Sequence, residues 1–348
     1  MARPKLNIAV TGLNAIDSPG PGISVIRGLR EAKSFTTRII GFSYESLEPG
    51  IYMHDLIDKT YQIPYPSSGT ETLLARLEYI HSIEKLDVII PNFDAELFPM
   101  MKLEPQLSAF GIKMFLPTID QFEARQKANL DVFGRKHGIL VPRNKVVYDP
   151  KTLYYPGIGI PYPFLVKGKY YDATVVYNAD QARTAFDKIS AKWGLPVIIQ
   201  EFVHGTEFNV TGLGDGHGKM IAAVPMRKQY ITDKGKAWGG ITIADPQLLE
   251  LTKKFLKNTK WRGGFELELM KTQKEEIYLL EVNPRLPAWI YLAVGAGQNI
   301  PEALVKLALG KKVIPFKTYG IGKMFVRYSW DMIVDRREFE QVSVNGEL

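Results

Sequence analysis

Ile277-Tyr-Leu-Leu-Glu-Val-Asn-Pro-Arg285 runs an apolar segment straight into a carboxylate, an amide and a guanidinium at fixed spacing. In an extended strand, side chains at i and i+2 share a face. Glu281 and Asn283 therefore point one way, and Tyr278, Leu280 and Val282 are expected to point into a core. Pro284 fixes the exit from the strand. Oxygen donors of this kind suit Mg²⁺, which takes one or two carboxylates and fills the rest of its shell with phosphate oxygens and water.

A second strand precedes this one. In Phe265-Glu-Leu-Glu-Leu-Met270, parity sets Glu266 and Glu268 on one face and Phe265, Leu267 and Leu269 on the other. A hairpin through residues 271–276 returns the chain antiparallel. Glu268 or Glu266 then comes beside Glu281, and at least two carboxylates and Asn283 are expected on one polar surface. Acids held that close repel unless a cation lies between them. Glu268 taken alone also fits a solvent-facing hairpin.

Further upstream, Lys167 ends the apolar strand Phe164-Leu-Val-Lys, and Lys127 falls on a helix opened by the capping box Thr118-Ile-Asp-Gln121 and stopped at Gly138. Either lysine can neutralise phosphate charge, and either can equally be a surface residue. Val197-Ile-Ile-Gln-Glu-Phe-Val203 reads as a buried strand emerging at Gln200 and Glu201, with Gly205 and Glu207 after it. An apolar strand with an acid at its mouth suits the edge of a flat heterocycle.

The first 115 residues or so alternate strands with helices. Strands are expected at 6–11, 37–42, 88–91 and 113–116, and helices at 23–33, 71–83 and 96–110. That pattern predicts a parallel, doubly wound sheet, with ligands beyond the strand C-termini. The loop Gly12-Leu-Asn-Ala-Ile-Asp-Ser-Pro-Gly-Pro-Gly22 lacks GxGxxG spacing, and Pro19 and Pro21 remove donors a phosphate cradle would use. It reads as a turn or a substrate-facing edge. Strands near 145–147, 164–167, 174–177 and 197–201, with a helix over 179–192 capped by Asn178, make a small α+β lobe. A larger lobe follows, with strands at 207–213, 220–224, 264–270 and 277–282, a helix over 246–257, another over 300–309 and a late strand within 323–331. The segment Arg227 to Gly240, with Lys234, Lys236 and Trp238, reads as a mobile lid, and the tail after Asp335 as polar and loosely ordered.

The chain has 348 residues, too many for one core, so subdomains are expected. It has no cysteine, which excludes disulfides and thiolate sites, and five scattered histidines without a zinc-binding spacing. The net charge of +7 is uneven: residues 1–116 carry 11 Lys+Arg against 13 Asp+Glu, and the remainder 33 against 24. A basic C-terminal two-thirds fits an anionic nucleotide; no basic run with interleaved aromatics points to nucleic acid. No apolar run approaches a membrane span and no signal-peptide pattern opens the chain, so a cytoplasmic protein without a membrane partner is expected.

Taken in order, Lys127, Phe164-Leu-Val-Lys167, Gln200-Glu-Phe-Val-His-Gly-Thr-Glu207, Glu268 and Glu281-Val-Asn-Pro-Arg285 resemble the ATP-grasp superfamily. Within it, they look most like single-copy carboxylate-amine ligases related to the carbamoyl-phosphate synthetase large chain and to biotin carboxylase. The resemblance spans roughly residues 1–310. It implies an α/β and α+β fold: a Rossmann-like pre-ATP-grasp domain over 1–117, a linker helix and small lobe over 118–204, a large lobe with the metal site over 205–335, and a polar tail over 336–348. It also implies that ATP lies between the lobes. Lys127 and Lys167 would contact its phosphates, Glu201 the adenine amino group, the backbone of Phe202 and Val203 the adenine edge, and Glu207 the ribose. Glu268, Glu281 and Asn283 would ligate Mg²⁺, with Mn²⁺ the alternative ion. Arg285 would stabilise the transferring phosphoryl group, Arg227 or Lys228 would contact substrate or phosphate, and Trp238 would shield the site from water. This sequence departs from the family pattern in its glycine-poor loop Gly168-Lys-Tyr-Tyr-Asp-Ala173, where Tyr170 or Tyr171 could meet substrate. Glu266 also places a charge where relatives often have an amide. With one grasp unit and no biotinyl domain in the sequence, full carbamoyl-phosphate synthesis is not expected.

The resemblance implies a ligase that converts a small-molecule carboxylate to an acyl phosphate and couples it to an amine, releasing ADP and phosphate. A carboxylate-thiol ligase or carboxylase of the same fold, a non-catalytic nucleotide-binding protein and a dehydrogenase using the N-terminal domain are the alternatives. Trp289 and Tyr291 fit either a substrate pocket or a core helix. Oligomeric state stays open, with a homodimer the commonest arrangement.

Overall fold

The computed structural model describes residues 3–16, 18–154, 158–169, 172–233 and 235–348. Tyr170, Tyr171 and Lys234 lie outside the described residues. Two compact units emerge from the contacts. The first comprises residues 1–119, 209–266 and 283–348; the second comprises 120–208 and 267–282.

The first unit opens with β1 (Lys5–Val10), α1 (Pro21–Arg30), β2 (Thr36–Ser43), β3 (Lys59–Gln62), α2 (Thr70–Glu84), β4 (Val88–Ile90) and α3 (Asp94–Ala109). The strands form a parallel sheet in the order β3-β2-β1-β4, with Ile8 in register with Ile39 on one side and Val88 on the other. Ile8, Ala9 and Val10 are all fully buried, as in parallel strands covered on both faces. The chain passes from β1 to β2 and β3 on one side and then crosses to β4 on the other, so the switch point lies between β1 and β4. The loop after β1 folds tightly onto itself: Gly12 has φ +86°, and a Cβ on Gly22 would lie 2.3 Å from the Thr11 carbonyl oxygen. Gly22 N donates to Gly12 O and Gly20 N to Asn14 O.

Two expectations for this region are corrected. Residues 113–116 form only an isolated parallel bridge between Lys113 and Val88, because the Arg262 guanidinium takes the carbonyls of Met114 and Leu116 that a further strand would have used. Conversely, Lys-Thr-Tyr-Gln at β3 is a strand despite having no apolar run; it pairs with β2 at the sheet edge.

The second unit contains α4 (Ile119–Ala124), a 3₁₀ turn at Lys127–Asn129, α5 (Leu130–His137), β5 (Asn144–Val147), β6 (Phe164–Lys167), β7 (Ala173–Val176), α6 (Ala179–Trp193) and β8 (Val197–Glu201). The helix expected to run unbroken to His137 is interrupted. Gln126 is extended (φ −54°, ψ 144°), and the Lys127 carbonyl accepts from Asn144 Nδ2 at 3.0 Å, so Lys127 sits on the 3₁₀ turn. Gly138 ends α5 in the left-handed conformation, as its residue type dictates. Asn178 caps α6 by accepting from Gln181 N. The four strands pair antiparallel in the order β5-β8-β6-β7. Their inner face, with Val147, Phe164, Val166, Val176, Val197 and Ile199, packs on Ala182, Ala185, Phe186 and Ile189 of α6.

The chain continues with β9 (Thr206–Asp215), β10 (Met220–Ile231), β11 (Ala237–Thr242), α7 (Pro246–Thr259), β12 (Arg262–Lys271), β13 (Ile277–Asn283), α8 (Ile290–Gly295), α9 (Ile300–Ala308), β14 (Met324–Val326) and α10 (Arg336–Asn345). The strands form a six-stranded sheet in the order β13-β12-β9-β10-β11-β14. Residues 227–240, expected as a mobile loop, are mostly the two arms of the β10–β11 hairpin, with Arg227 opposite Ile241 and Lys228 opposite Gly240. The late strand is shorter than expected and pairs with β11 at the edge. The tail is ordered rather than loose. Asp335 caps α10, Val342 is fully buried, and Leu348 exchanges main-chain hydrogen bonds with Thr60 of β3. The apolar side of β13 also differs: Leu279 and Val282 are fully buried, whereas Tyr278 and Leu280 are only partly so. Leu279 N donates to the Leu140 carbonyl, so residue 140 lies along the edge of β13. No helix among the described residues is long and apolar enough to cross a membrane.

Candidate functional site

In the second unit, strand parity opposite α6 gives the outer face of the four-stranded sheet to Val146, Leu165, Lys167, Ile198 and Gln200. Gln200 is buried there, and among the described residues its Oε1 has no partner. Lys167 is desolvated, and burial pushes its pKa down. Glu281 opposes that shift, the like charge of Lys127 adds to it, and Glu268 and Glu207 oppose it more weakly. Lys127 Nζ lies 3.4 Å from Glu281 Oε2. Two lysines and three carboxylates foreseen as ligand contacts thus act on one another within a single unit.

Glu201 is held otherwise. Arg143 grips its carboxylate through Nε and Nη2, each at 3.1 Å, and Arg143 N donates to it as well. These hydrogen bonds hold its pKa below the ordinary carboxylate range. With the side chain engaged, the strand end Glu201-Phe-Val203 offers a planar ring chiefly main-chain atoms. Phe202 stands edge-on to His204 at 4.7 Å.

In the first unit, Arg285 Nε donates to Asp94 Oδ2 at 3.0 Å, and Asp94 is the first residue of α3. Glu266 does not share an open surface with Glu268, as had been expected. It is buried, with Oε1 accepting from Trp289 Nε1 at 2.6 Å and Asn209 Nδ2 at 3.0 Å, and Oε2 accepting from Asn283 Nδ2 at 3.2 Å. Trp289 is therefore a buried donor packed with Met226, Ala237 and Leu292. Asn283 keeps Oδ1 on the side of the amide away from Glu266. Among the described residues, no group of three or more His, Cys, Asp or Glu side chains is arranged to hold a metal ion. The oxygen donors foreseen for one are two carboxylates, Glu268 and Glu281, and the amide of Asn283.

Arg227 is exposed and faces away from Lys228, whose Nζ donates to Gly235 O across the hairpin turn. Trp238 is partly buried, and its carbonyl accepts from Arg327 N. Arg327 was not foreseen. It lies just past β14 beside the Phe325 ring. Burial lowers its pKa, with Glu266 acting against the shift. No carboxylate among the described residues lies within ion-pair distance of it, so it is a partly desolvated cation without a carboxylate neutralising it there. Parity with Phe325 was a signal in the sequence. Nothing local marked Asp94 or Arg143 as partners of Arg285 and Glu201.

This architecture, a parallel αβ sheet followed by an antiparallel four-stranded sheet and a larger six-stranded sheet, recurs in solved structures. Biotin carboxylase from Campylobacter jejuni, solved as a β,γ-ATP complex, superposes with a TM-score of 0.71 at 16% identity over 91% of this chain and 74% of its own. Residues 195–323 match the family described as "ATP-grasp in the biosynthetic pathway with Ter operon". The carbamoyl phosphate synthase large chain of Clostridium beijerinckii is 22% identical over 273 residues, 74% of this chain and 25% of that one. Tyramine–L-glutamate ligase of Methanocaldococcus fervens is 29% identical over 125 residues, 35% of this chain and 41% of that one. The matches thus span a quarter and about two fifths of these relatives' lengths.

Proposed function

We propose that this protein is an ATP-dependent carboxylate-amine ligase. The observation that carries the reading is the mutual placement of Lys127, Lys167, Glu207, Glu268 and Glu281 in the second unit. Phosphoryl transfer depends on positioning and on charge neutralisation more than on covalent chemistry, and this set supplies both signs of charge. The tyramine–glutamate ligase similarity supports the carbon-nitrogen bond-forming version.

Lys127 and Lys167 would hold the nucleotide phosphates and Glu207 the ribose. Main-chain atoms of Glu201, Phe202 and Val203 would meet the adenine edge, and Gln200 Oε1 would take a donor. Glu268, Glu281 and Asn283 Oδ1 fit a hard divalent cation such as Mg²⁺, being oxygen donors with anionic charge. Such an ion, when bound, would neutralise the β- and γ-phosphate oxygens. A substrate carboxylate oxygen would attack the γ-phosphorus as the bond to the bridging oxygen breaks and ADP leaves. The amine nitrogen would then attack the acyl carbon, phosphate would depart with the electrons of the carbon–oxygen bond, and the nitrogen would lose a proton. Arg285, aligned by Asp94, would stabilise charge on the transferring group. Arg327 would receive the substrate carboxylate, with Lys228 on the same face of the sheet and Arg227 at the hairpin surface. Trp238 would restrict water from the acyl phosphate.

The test is ADP release across a panel of small carboxylates and amines, with products identified by mass. Release requiring both partners, and a product heavier by their condensation, supports the reading. Turnover with a thiol or bicarbonate in place of the amine would replace it with the corresponding ligase or carboxylase.

A further inference from the structure

At the C-terminal ends of β1, β2 and β4 lies a buried polar cluster that the nucleotide chemistry does not use. Thr11, Ser43, Asn92 and Glu96 are fully buried, and Glu48 is 6% exposed. Glu96 is saturated with donors: the hydroxyls of Thr11 and Tyr44 reach it, as do Asn92 N at 2.6 Å and Phe93 N at 2.9 Å. Glu48 Oε1 accepts from Tyr44 N at 2.7 Å. Among the described residues, three atoms of the cluster have no partner: Ser43 Oγ, Glu48 Oε2 and Asn92 Oδ1. Asn92 Oδ1 and an ionised Glu48 Oε2 only accept, and the Ser43 hydroxyl can accept as well as donate. Asn92 Nδ2 is turned back onto the carbonyls of Thr11 and Ile90, which leaves Oδ1 on the opposite side of the amide.

Position agrees with chemistry. Ser43 ends β2 and Asn92 follows β4, the strands on either side of β1. The Tyr44 hydroxyl bridges from the end of β2 to Glu96 on α3. This is the switch point of the sheet, where doubly wound folds receive ligands. No lysine or arginine is paired with Glu48 or Glu96 among the described residues, so an incoming cation would meet two carboxyl groups and no competing cation. Its border is aromatic: Tyr44 stacks on Tyr65 at 5.5 Å, with Phe93 tilted against it at 6.1 Å, and Tyr65 is half exposed.

We propose that this cluster is a binding site for a primary ammonium group, held by Glu48, Asn92 and Ser43 beneath an aromatic rim. An ammonium brings three N–H donors to three acceptors and a positive charge to buried acids. Ring faces attract the same charge. A buried water supplies only two donors and no charge. Naming the ligand as the amine co-substrate rests on the ligase reading; the site itself does not.

The experiment is isothermal calorimetry on the full chain without nucleotide, using phenethylamine and propylamine as probes and phenethyl alcohol as the uncharged control. Saturable binding of the amines and none of the alcohol is expected. Glu48→Gln, which keeps the shape of the side chain and sets an amide against the ammonium, is expected to weaken amine binding on the order of tenfold or more. Ser43→Ala is a milder second variant that should weaken it several-fold. Failure of wild type to bind either amine, equal affinity in Glu48→Gln, or a site that takes Mg²⁺ or K⁺ and excludes amines would each overturn the proposal. Coupled ADP release without amine binding at this cluster would overturn the site and leave the ligase reading standing. Amine binding without any ADP release would do the reverse.

Discussion

Lys127 Nζ approaches Glu281 Oε2 to 3.4 Å, so a side chain from a 3₁₀ turn pairs with the carboxylate that opens the Glu-Val-Asn-Pro-Arg run. On the ligase reading, a lysine in that place would have two duties. Without nucleotide it offsets the carboxylate, and with nucleotide bound it would turn to phosphate as Glu281 takes a metal ion.

Removing either partner should therefore affect different constants. Lys127→Ala is expected to raise the KM for ATP about tenfold with a smaller fall in kcat, whereas Glu281→Gln should lower kcat on the order of 10²-fold or more. Steady-state ADP release at varied ATP and Mg²⁺ separates the two. Equal loss in both constants for both variants would contradict the division of roles.

The depressed pKa of Lys167 predicts a proton linkage. In the free protein its charged form is disfavoured by burial, so between its lowered value and the ordinary lysine range the folded state holds fewer protons than the unfolded one, and this group's contribution to stability rises with pH through that window. Phosphates alongside it would restore its affinity for the proton. ATP binding should then take up protons in the alkaline range and weaken as pH climbs. Calorimetry in buffers of different ionisation enthalpy measures the uptake, and Lys167→Met should abolish that component.

Arg327, partly desolvated and without a carboxylate at ion-pair distance among the described residues, is expected to recognise the substrate carboxylate through a planar fork. Arg327→Lys should raise the KM for the carboxylate about tenfold while leaving the KM for ATP within a factor of about two. A change confined to the ATP constant would refute the assignment.

Burial is the main cause that pushes the Glu48 carboxyl up to about 7, with Glu96 and Glu45 adding charge repulsion and the amides of Tyr44 and Glu45 pulling the other way. A raised carboxyl pKa means that the folded state holds its proton longer than the unfolded state, so stability falls as pH rises from the ordinary carboxylate range through about 7. The span corresponds to about 3 kcal/mol at most. Glu48→Gln should flatten that slope and be the more stable protein at pH 8, by urea denaturation, when no amine is present.

Val342 on α10 is fully buried, and Gln62 N and Thr60 N of β3 donate to Gly346 O and Leu348 O. Val342→Ala should cost about 1–3 kcal/mol. Truncation at Asp335 should lower Tm and favour aggregation by baring the β3 edge. Light scattering during a thermal ramp would show both.

Strand positions and the small lobe were legible because apolar runs and caps are local: β8 falls on Val197–Glu201 and Asn178 caps α6, both as read from the residues. Legibility failed where distant groups decided the outcome. Arg262 claims the carbonyls that would have made residues 113–116 a strand, Asn144 draws the Lys127 turn out of its helix, and β3 gives a polar tail something to pair with. The ordered set Lys127, Lys167, Glu207, Glu268 and Glu281 could be assembled from spacing and resemblance. The cage around Glu266 could not, since its donors Asn209, Asn283 and Trp289 come from three separate elements.

The first unit is discontinuous: residues 1–119 and 209–266 await 283–348, whereas the second is whole once residue 282 has been made. On the ribosome, with chains folding as their segments emerge, the lysine-bearing unit can therefore close first. Asp94 must wait through nearly two hundred residues of synthesis for Arg285. The order of translation thus completes the second unit before the first, whose last segment, residues 283–348, carries Arg285.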